Sequence, residues 1–168
     1  MRWQLRDRWD QQCRRLADKH YSRRSVGNPQ FVAAGRCVVL YAETETGSAY
    51  WVTSWQVGGQ CRHAWPGAWV CSAFRNEGAG LSSELIVEAV AATLFIWGEP
   101  PDVGFITFVD RKKTRSKKDP GYCYRVVGWE DIGRTKSKDL VVLQLTPDKM
   151  PEPCAPIGGQ LDLLGGLI

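Results

Sequence analysis

The stretch AWVCSAFRNEGAGLSSELIVEAVAATLFIW, residues 68–97, governs the reading of the whole chain. AWVCSAF predicts a β-strand, and Ser82 to Trp97 predicts a helix that is apolar on nearly every side. Between them RNEGAG sets Arg75, Gly78 and Gly80 as R-x-x-G-x-G at a strand-to-helix seam. Such a seam aims backbone N–H groups at one point, where the helix dipole adds partial positive charge. Glycines admit an anion close to the backbone, and Arg75 offers it a charge-assisted contact. Asn76 lies inside the loop, and Ser82 or Ser83 is the expected N-cap. The plain alternative is a turn whose geometry needs two glycines. Glu77 and Glu84 favour that alternative, because they place negative charge beside the anion.

Outward from this seam, the periodicity of Trp3, Leu5, Trp9, Cys13, Leu16 and Ala17 predicts a helix over residues 2–19. RCVVLYAE and SAYWVTSWQ read as two strands joined by a TETG turn. VGFITFVD is a nearly continuous apolar strand, the pattern of a sheet interior. PGYCYRVVGWEDIG predicts a short helix ending at Gly128, and LVVLQLT a last strand. The order is helix, three antiparallel strands, helix, strand, short helix and strand, an α/β arrangement around one mixed sheet. Residues 1–146 form the expected domain, and the Pro- and Gly-rich segment 147–168 an irregular tail over the surface.

No apolar run approaches the roughly 20 residues of a membrane-spanning helix. The charged N-terminus lacks the apolar stretch of a signal peptide, so a cytoplasmic location is expected. The six cysteines contain no C-x-x-C pair. In a reducing compartment they are expected to be free thiols, most of them buried. The net charge is only +4, yet residues 1–24 hold eight Lys or Arg, and Arg111–Lys118 holds six more with no acid. Such clustering fits a nucleic-acid partner or, equally, a solvated helix and loop. Arg23, Arg24, Arg111, Lys112, Lys113, Arg115, Lys117 and Lys118 are the candidate phosphate contacts.

R-x-x-G-x-G at a strand-to-helix turn, followed later by Tyr124-x-x-x-Gly128-Trp129 before a last strand, resembles the GNAT acyltransferases. The resemblance implies a GNAT-like mixed, mainly antiparallel sheet flanked by helices. It also implies that Arg75, Asn76, Gly78, Gly80 and Ser82 meet the pyrophosphate of acetyl-CoA, and that Tyr124 protonates the departing thiolate. HYSRR with GNPQF, FRNEG with LSSELI, WGEPPDVGFITFVD and PGYCYRVVGWEDIG, in that order, are similar to the phage Mom DNA-modification proteins over about residues 20–145. Mom proteins convert the exocyclic amine of adenine in phage DNA to a methylcarbamoyl derivative and so shield it from restriction.

That resemblance implies DNA as partner, a base flipped into a pocket, and iron beside acetyl-CoA. Tyr21 and Trp65 are candidates to stack on the base, while Trp97 and Trp129 are expected in the core. Asp110 closes an apolar strand at its C-terminal end, where α/β folds place reactive groups. It reads as a cap of the following turn, a general base, or a metal ligand. His20, Tyr21 and Asp110 form the iron set the family implies, since imidazole, phenolate and carboxylate suit that metal. His63 is expected to be an exposed loop residue. An ordinary GNAT N-acetyltransferase acting on a protein or small-molecule amine is the alternative.

Overall fold

The computed structural model describes residues 1–56, 63–114 and 118–158. Its elements are β1 (Gln4–Arg6), α1 (Gln11–Asp18), β2 (Arg36–Thr44), β3 (Gly47–Trp55), β4 (Trp69–Glu77), α2 (Ser82–Trp97), β5 (Phe105–Val109), α3 (Tyr122–Arg125), β6 (Glu130–Arg134) and β7 (Val141–Leu145). The strands form one seven-stranded sheet in the order β1-β2-β3-β4-β5-β7-β6. Every pairing is antiparallel except β4 with β5. The chain is therefore α/β with a mixed, mostly antiparallel sheet, and the apolar β5 lies inside it.

Alternation along the strands divides the core between two faces. Val38, Leu40, Trp51, Trp69, Phe105 and Leu143 point to the side packed by α2 and α3. Val39, Tyr41, Tyr50 and Val52 point the other way, onto Cys13, Leu16 and Ala17 of α1. Farther along that second face, Val70, Ile106 and Val142 are covered by Trp65 and Phe108. The all-round apolarity of α2 has a physical cause. One side lies on the sheet, Trp3 donates from Nε1 to the Leu85 carbonyl at 2.9 Å, and the tail crosses behind, where Cys154 N–H reaches the Ala91 carbonyl at 3.1 Å.

The N-terminal segment departs from the expected single helix. Residues 4–6 pair with Val39–Tyr41 as an edge strand, and the helix begins only after Asp10, whose Oδ1 accepts from Cys13 N–H at 2.8 Å. Trp3 and Leu5 have apolar neighbours at either periodicity, and burial of Trp3 against α2 selects the strand. The short helix around Tyr124 also ends sooner than expected. Gly128 has φ +92°, which turns the chain so that Glu130–Arg134 becomes the opposite edge strand.

The tail is docked as far as it is described, with Ile157 N–H donating to the Trp3 carbonyl at 2.7 Å. Among the described cysteines all are free, but only Cys13 and Cys71 are buried, fewer than expected. Among the described residues no helix is long and apolar enough to cross a membrane.

Candidate active site

Parallel strands joined by a helix bring their C-terminal ends to one edge of the sheet, where ligands collect in α/β folds. Here β4 and β5 pair only through Trp69–Phe105, Val70–Ile106 and Cys71–Thr107. The last rung is reinforced by Thr107 Oγ1, which donates to the Cys71 carbonyl at 3.0 Å. Beyond it β4 follows β3, with a bulge opposite Val52/Thr53, and β5 follows β7. The two strands part.

Tyr124, from α3, stands at the root of this parting. Its hydroxyl lies 3.5 Å from Cys71 Sγ, and its ring packs edge-on against Phe74 and Trp129. Burial drives its phenol well above the ordinary range, and the neighbouring Cys71 and Cys123 thiols add to the rise. Tyr21 reaches the same place from the segment after α1. Its hydroxyl is 3.5 Å from the Phe108 carbonyl, and burial raises its phenol despite a backbone hydrogen bond from Asp110. The His20 ring stacks on that of Tyr21, with centroids 4.4 Å apart. Tyr21, Tyr124 and Asp110 are thus gathered at the parted ends.

Asp110 caps the turn that follows β5: its Oδ1 accepts from the N–H groups of Lys112 at 2.9 Å and Lys113 at 3.1 Å. His20 Nδ1 is 2.7 Å from Ser22 Oγ. His20 and Tyr21 are thus stacked side by side, and Asp110 meets the Tyr21 hydroxyl through its backbone N–H. Among the described residues no group of three or more His, Cys, Asp or Glu could hold a metal.

The glycine loop stands at the end of β4. Asn76 organises it: Oδ1 accepts from Gly78 N–H at 3.1 Å and Ala79 N–H at 2.9 Å, while Nδ2 donates to the Gly80 carbonyl and Ser82 Oγ. Those two loop N–H groups are spent on the carboxamide. The first turn of α2 is different, because its N-cap is Leu81, not a serine, and no side chain caps it. Its N–H groups are the anion donors on offer.

Gly78 has a packing reason of its own, since a Cβ there would sit 2.7 Å from the Thr46 carbonyl oxygen. A Cβ on Gly80 would sit 2.9 Å from an Arg2 guanidinium nitrogen. Arg2, distant in sequence and bearing no motif, is therefore the arginine beside this loop. Arg75 faces away, bonding Glu77 at 2.8 Å and the Lys19 carbonyl at 2.8 Å. The two carboxylates that weighed against an anion are both matched. Lys19 and Arg75 hold Glu77 below the usual carboxylate range, and Arg2 pairs with Glu84.

Among the candidate phosphate contacts, Arg24, Arg111, Lys112, Lys113 and Lys118 are exposed. Lys113 also donates from Nζ to the Tyr21 carbonyl at 3.1 Å, tying the basic turn to the site. Arg23 is turned inward. Its side chain is 10% exposed and bonds Asp18 at 2.8 Å, the Gln30 carbonyl at 2.9 Å and the Asn28 carbonyl. Arg115 and Lys117 lie outside the described residues. Trp65 is half-buried, its ring 6.1 Å from that of Phe108, and His63 is half-buried beside both rather than exposed as expected. Trp129 is buried, whereas Trp97 is half-buried beside Trp55 and Trp69. No family model, curated protein or solved structure matches the chain.

Proposed function

We propose that this chain is a GNAT-like DNA-modifying enzyme of the Mom type, which uses acetyl-CoA to convert the exocyclic amine of adenine to a methylcarbamoyl derivative. The observation that carries the reading is the parting of β4 and β5 beyond Cys71 and Thr107. The uncapped end of α2 lies after one strand, Asp110 after the other, and Tyr124 stands between them. An extended thioester needs that arrangement: an anion site for one end, an opening between strands, and an acid where the sulfur stops. The exposed Arg111, Lys112 and Lys113 beside Asp110, with the exposed Lys118, supply charge for a nucleic-acid backbone.

Acetyl-CoA would supply an activated acyl carbon. The first-turn N–H groups of α2 hold its pyrophosphate, with Gly80 allowing close approach and Asn76 fixing the loop's shape. Asp110 is oriented through Oδ1, which leaves Oδ2 to take a proton from the adenine amine. Direct acyl transfer to that amine gives an acetamide, so the NH between methyl and carbonyl enters by chemistry beyond this proton transfer. Tyr124 would be the acid beside the thioester sulfur, its proton available to the departing thiolate. A phenol raised by burial is protonated at neutral pH, as an acid must be. Tyr21 lies across from Tyr124 and offers a ring to the extruded base.

A methylcarbamoyl group differs from an acetyl group by one NH between methyl and carbonyl, so the mass of the product separates the two chemistries. Nucleoside mass spectrometry on plasmid DNA from cells expressing the chain tests the reading, beside Asp110→Ala and Tyr124→Phe controls. A methylcarbamoyl deoxyadenosine that is lost in the controls is expected. Unmodified DNA from folded protein that binds acetyl-CoA overturns it in favour of an ordinary N-acetyltransferase.

A further inference from the structure

A pocket of about 250 Å³ opens where α3, β6 and β7 meet the turn after β5, lined by Arg111, Arg125, Arg134, Asp119 and Asp131. Its arginines come from three separate segments, so no sequence run announces them. Arg125 is held in place, pairing with Asp119 and donating to the Pro120 carbonyl at 3.1 Å. Asp131 Oδ1 accepts from Gly133 N–H at 3.0 Å, at the bulge that sets the twist of β6 beneath Arg134. Each acid thus has a structural task. Arg111 and Arg134 are exposed and, among the described residues, neither has a carboxylate partner.

We propose that this pocket binds a phosphodiester of the nucleic-acid backbone, with Arg134 and Arg111 contacting the phosphate and Arg125 forming the floor. The inference rests on the nucleic-acid reading above and deepens it by naming where the strand is held. Guanidinium forks match the oxygens of a phosphate in pairs. The surroundings favour a polymer over a lone anion. The exposed Lys112 and Lys113 directly follow Arg111 in the chain, and the exposed Lys136 and Lys138 lie in the turn that follows Arg134, between β6 and β7. Arg111 directly follows Asp110 in the chain, so a phosphate bound here lies beside the residue proposed to deprotonate the base. An anchored backbone next to that residue is what base extrusion requires.

The test is the salt dependence of binding of the full chain to a fluorescein-labelled duplex, followed by anisotropy, for wild type, Arg134→Ala, Arg134→Lys and Arg111→Ala. The slope of log affinity against log salt should lose about 0.9 for each phosphate contact removed. Arg134→Ala and Arg111→Ala should each show that loss, and Arg134→Lys should restore most of it. Both residues are exposed, and matching thermal melts establish that the variants fold.

Wild-type slopes in both alanine variants would overturn the pocket while leaving the nucleic-acid reading intact. Absence of duplex binding by the wild type would overturn both. Loss of thermal stabilisation by acetyl-CoA in Arg134→Ala, with duplex binding unchanged, would assign the pocket to a phosphate of the coenzyme and overturn the proposal. Polyglutamate that displaces the duplex as well as unlabelled duplex does would point to an acidic protein partner and also overturn it.

Discussion

The Tyr124 hydroxyl lies 3.5 Å from Cys71 Sγ at the last rung that joins β4 to β5. This contact puts the proposed acid where the strands separate. A thiol is a weak hydrogen-bond partner, so the contact costs little to lose and leaves the phenolic proton available. Tyr124→Phe should change unfolding free energy by no more than about 1.5 kcal/mol. It should lower product formation by about 10²–10⁴-fold. Urea unfolding beside nucleoside mass spectrometry checks both, and an active phenylalanine variant would remove Tyr124 from the chemistry.

Asn76 is the organiser of the glycine loop, and its removal strands the N–H groups of Gly78 and Ala79. Asn76→Ala should destabilise the fold by about 1–2 kcal/mol. It should also reduce the thermal stabilisation that acetyl-CoA confers on the wild type. An unchanged coenzyme-induced shift in melting temperature would mean that the loop does not hold the pyrophosphate.

Gly47 ties packing to binding. A Cβ there would come within 1.9 Å of the Glu77 carbonyl oxygen, forcing the β2–β3 turn away from the end of β4. Gly47→Ala should cost about 1–3 kcal/mol through overpacking. Coenzyme affinity should weaken with it, because the displaced segment leads directly into the loop. A variant as stable as wild type would show that the turn has more room than the structure gives it.

Arg23 and Arg24 are neighbours with opposite expected behaviour. Arg23 is engaged by Asp18 and the Asn28 and Gln30 carbonyls, while Arg24 is exposed. Arg23→Ala should lower the melting temperature by leaving Asp18 without its cation, at a cost of about 1–3 kcal/mol. It should leave the salt slope of duplex binding unchanged. Arg24→Ala should do the reverse. Thermal melts and salt titrations on the two variants decide the matter.

Stability should fall in alkali. Burial pushes the Cys71 thiol from its ordinary 9.0 up to about 12, and burial likewise raises Tyr21 and Tyr124 above 10.0. Between the unfolded and folded values the native chain keeps a proton that the unfolded chain has released. The stabilisation is therefore complete below the unfolded value and is lost as pH climbs toward the folded one. Each such group adds about 1.4 kcal/mol per pH unit to the decline. Urea unfolding at successive pH values above 9 should show the fall, and Cys71→Ala should make it shallower. A flat profile would mean that these groups titrate normally in the folded chain.

Local pattern determined much of this molecule. The β2–β3 hairpin, the strand–loop–helix of residues 69–97 and the interior position of β5 were all legible, because each buries a face whose periodicity is written in consecutive residues. Asp110 was legible as a candidate for the same reason, since it closes such an element, whereas Tyr124 was marked by the resemblance to the GNAT acyltransferases.

Only the tertiary structure could decide the two edges of the sheet. β1 has three residues, and four of the five residues of β6 are exposed or carry no apolar side chain toward the core. An edge strand is held by hydrogen bonds to one neighbour, and nothing in its own residues records which neighbour that is. Charged side chains posed the same difficulty. Arg75 stands in the motif and turns to Glu77, Arg2 comes to the loop from the other end of the chain, and Arg111, Arg125 and Arg134 meet from three segments. Long, flexible side chains go to whatever partner the fold brings within reach. Their direction is a property of the assembled sheet, while the strands and helices that carry them are properties of the sequence.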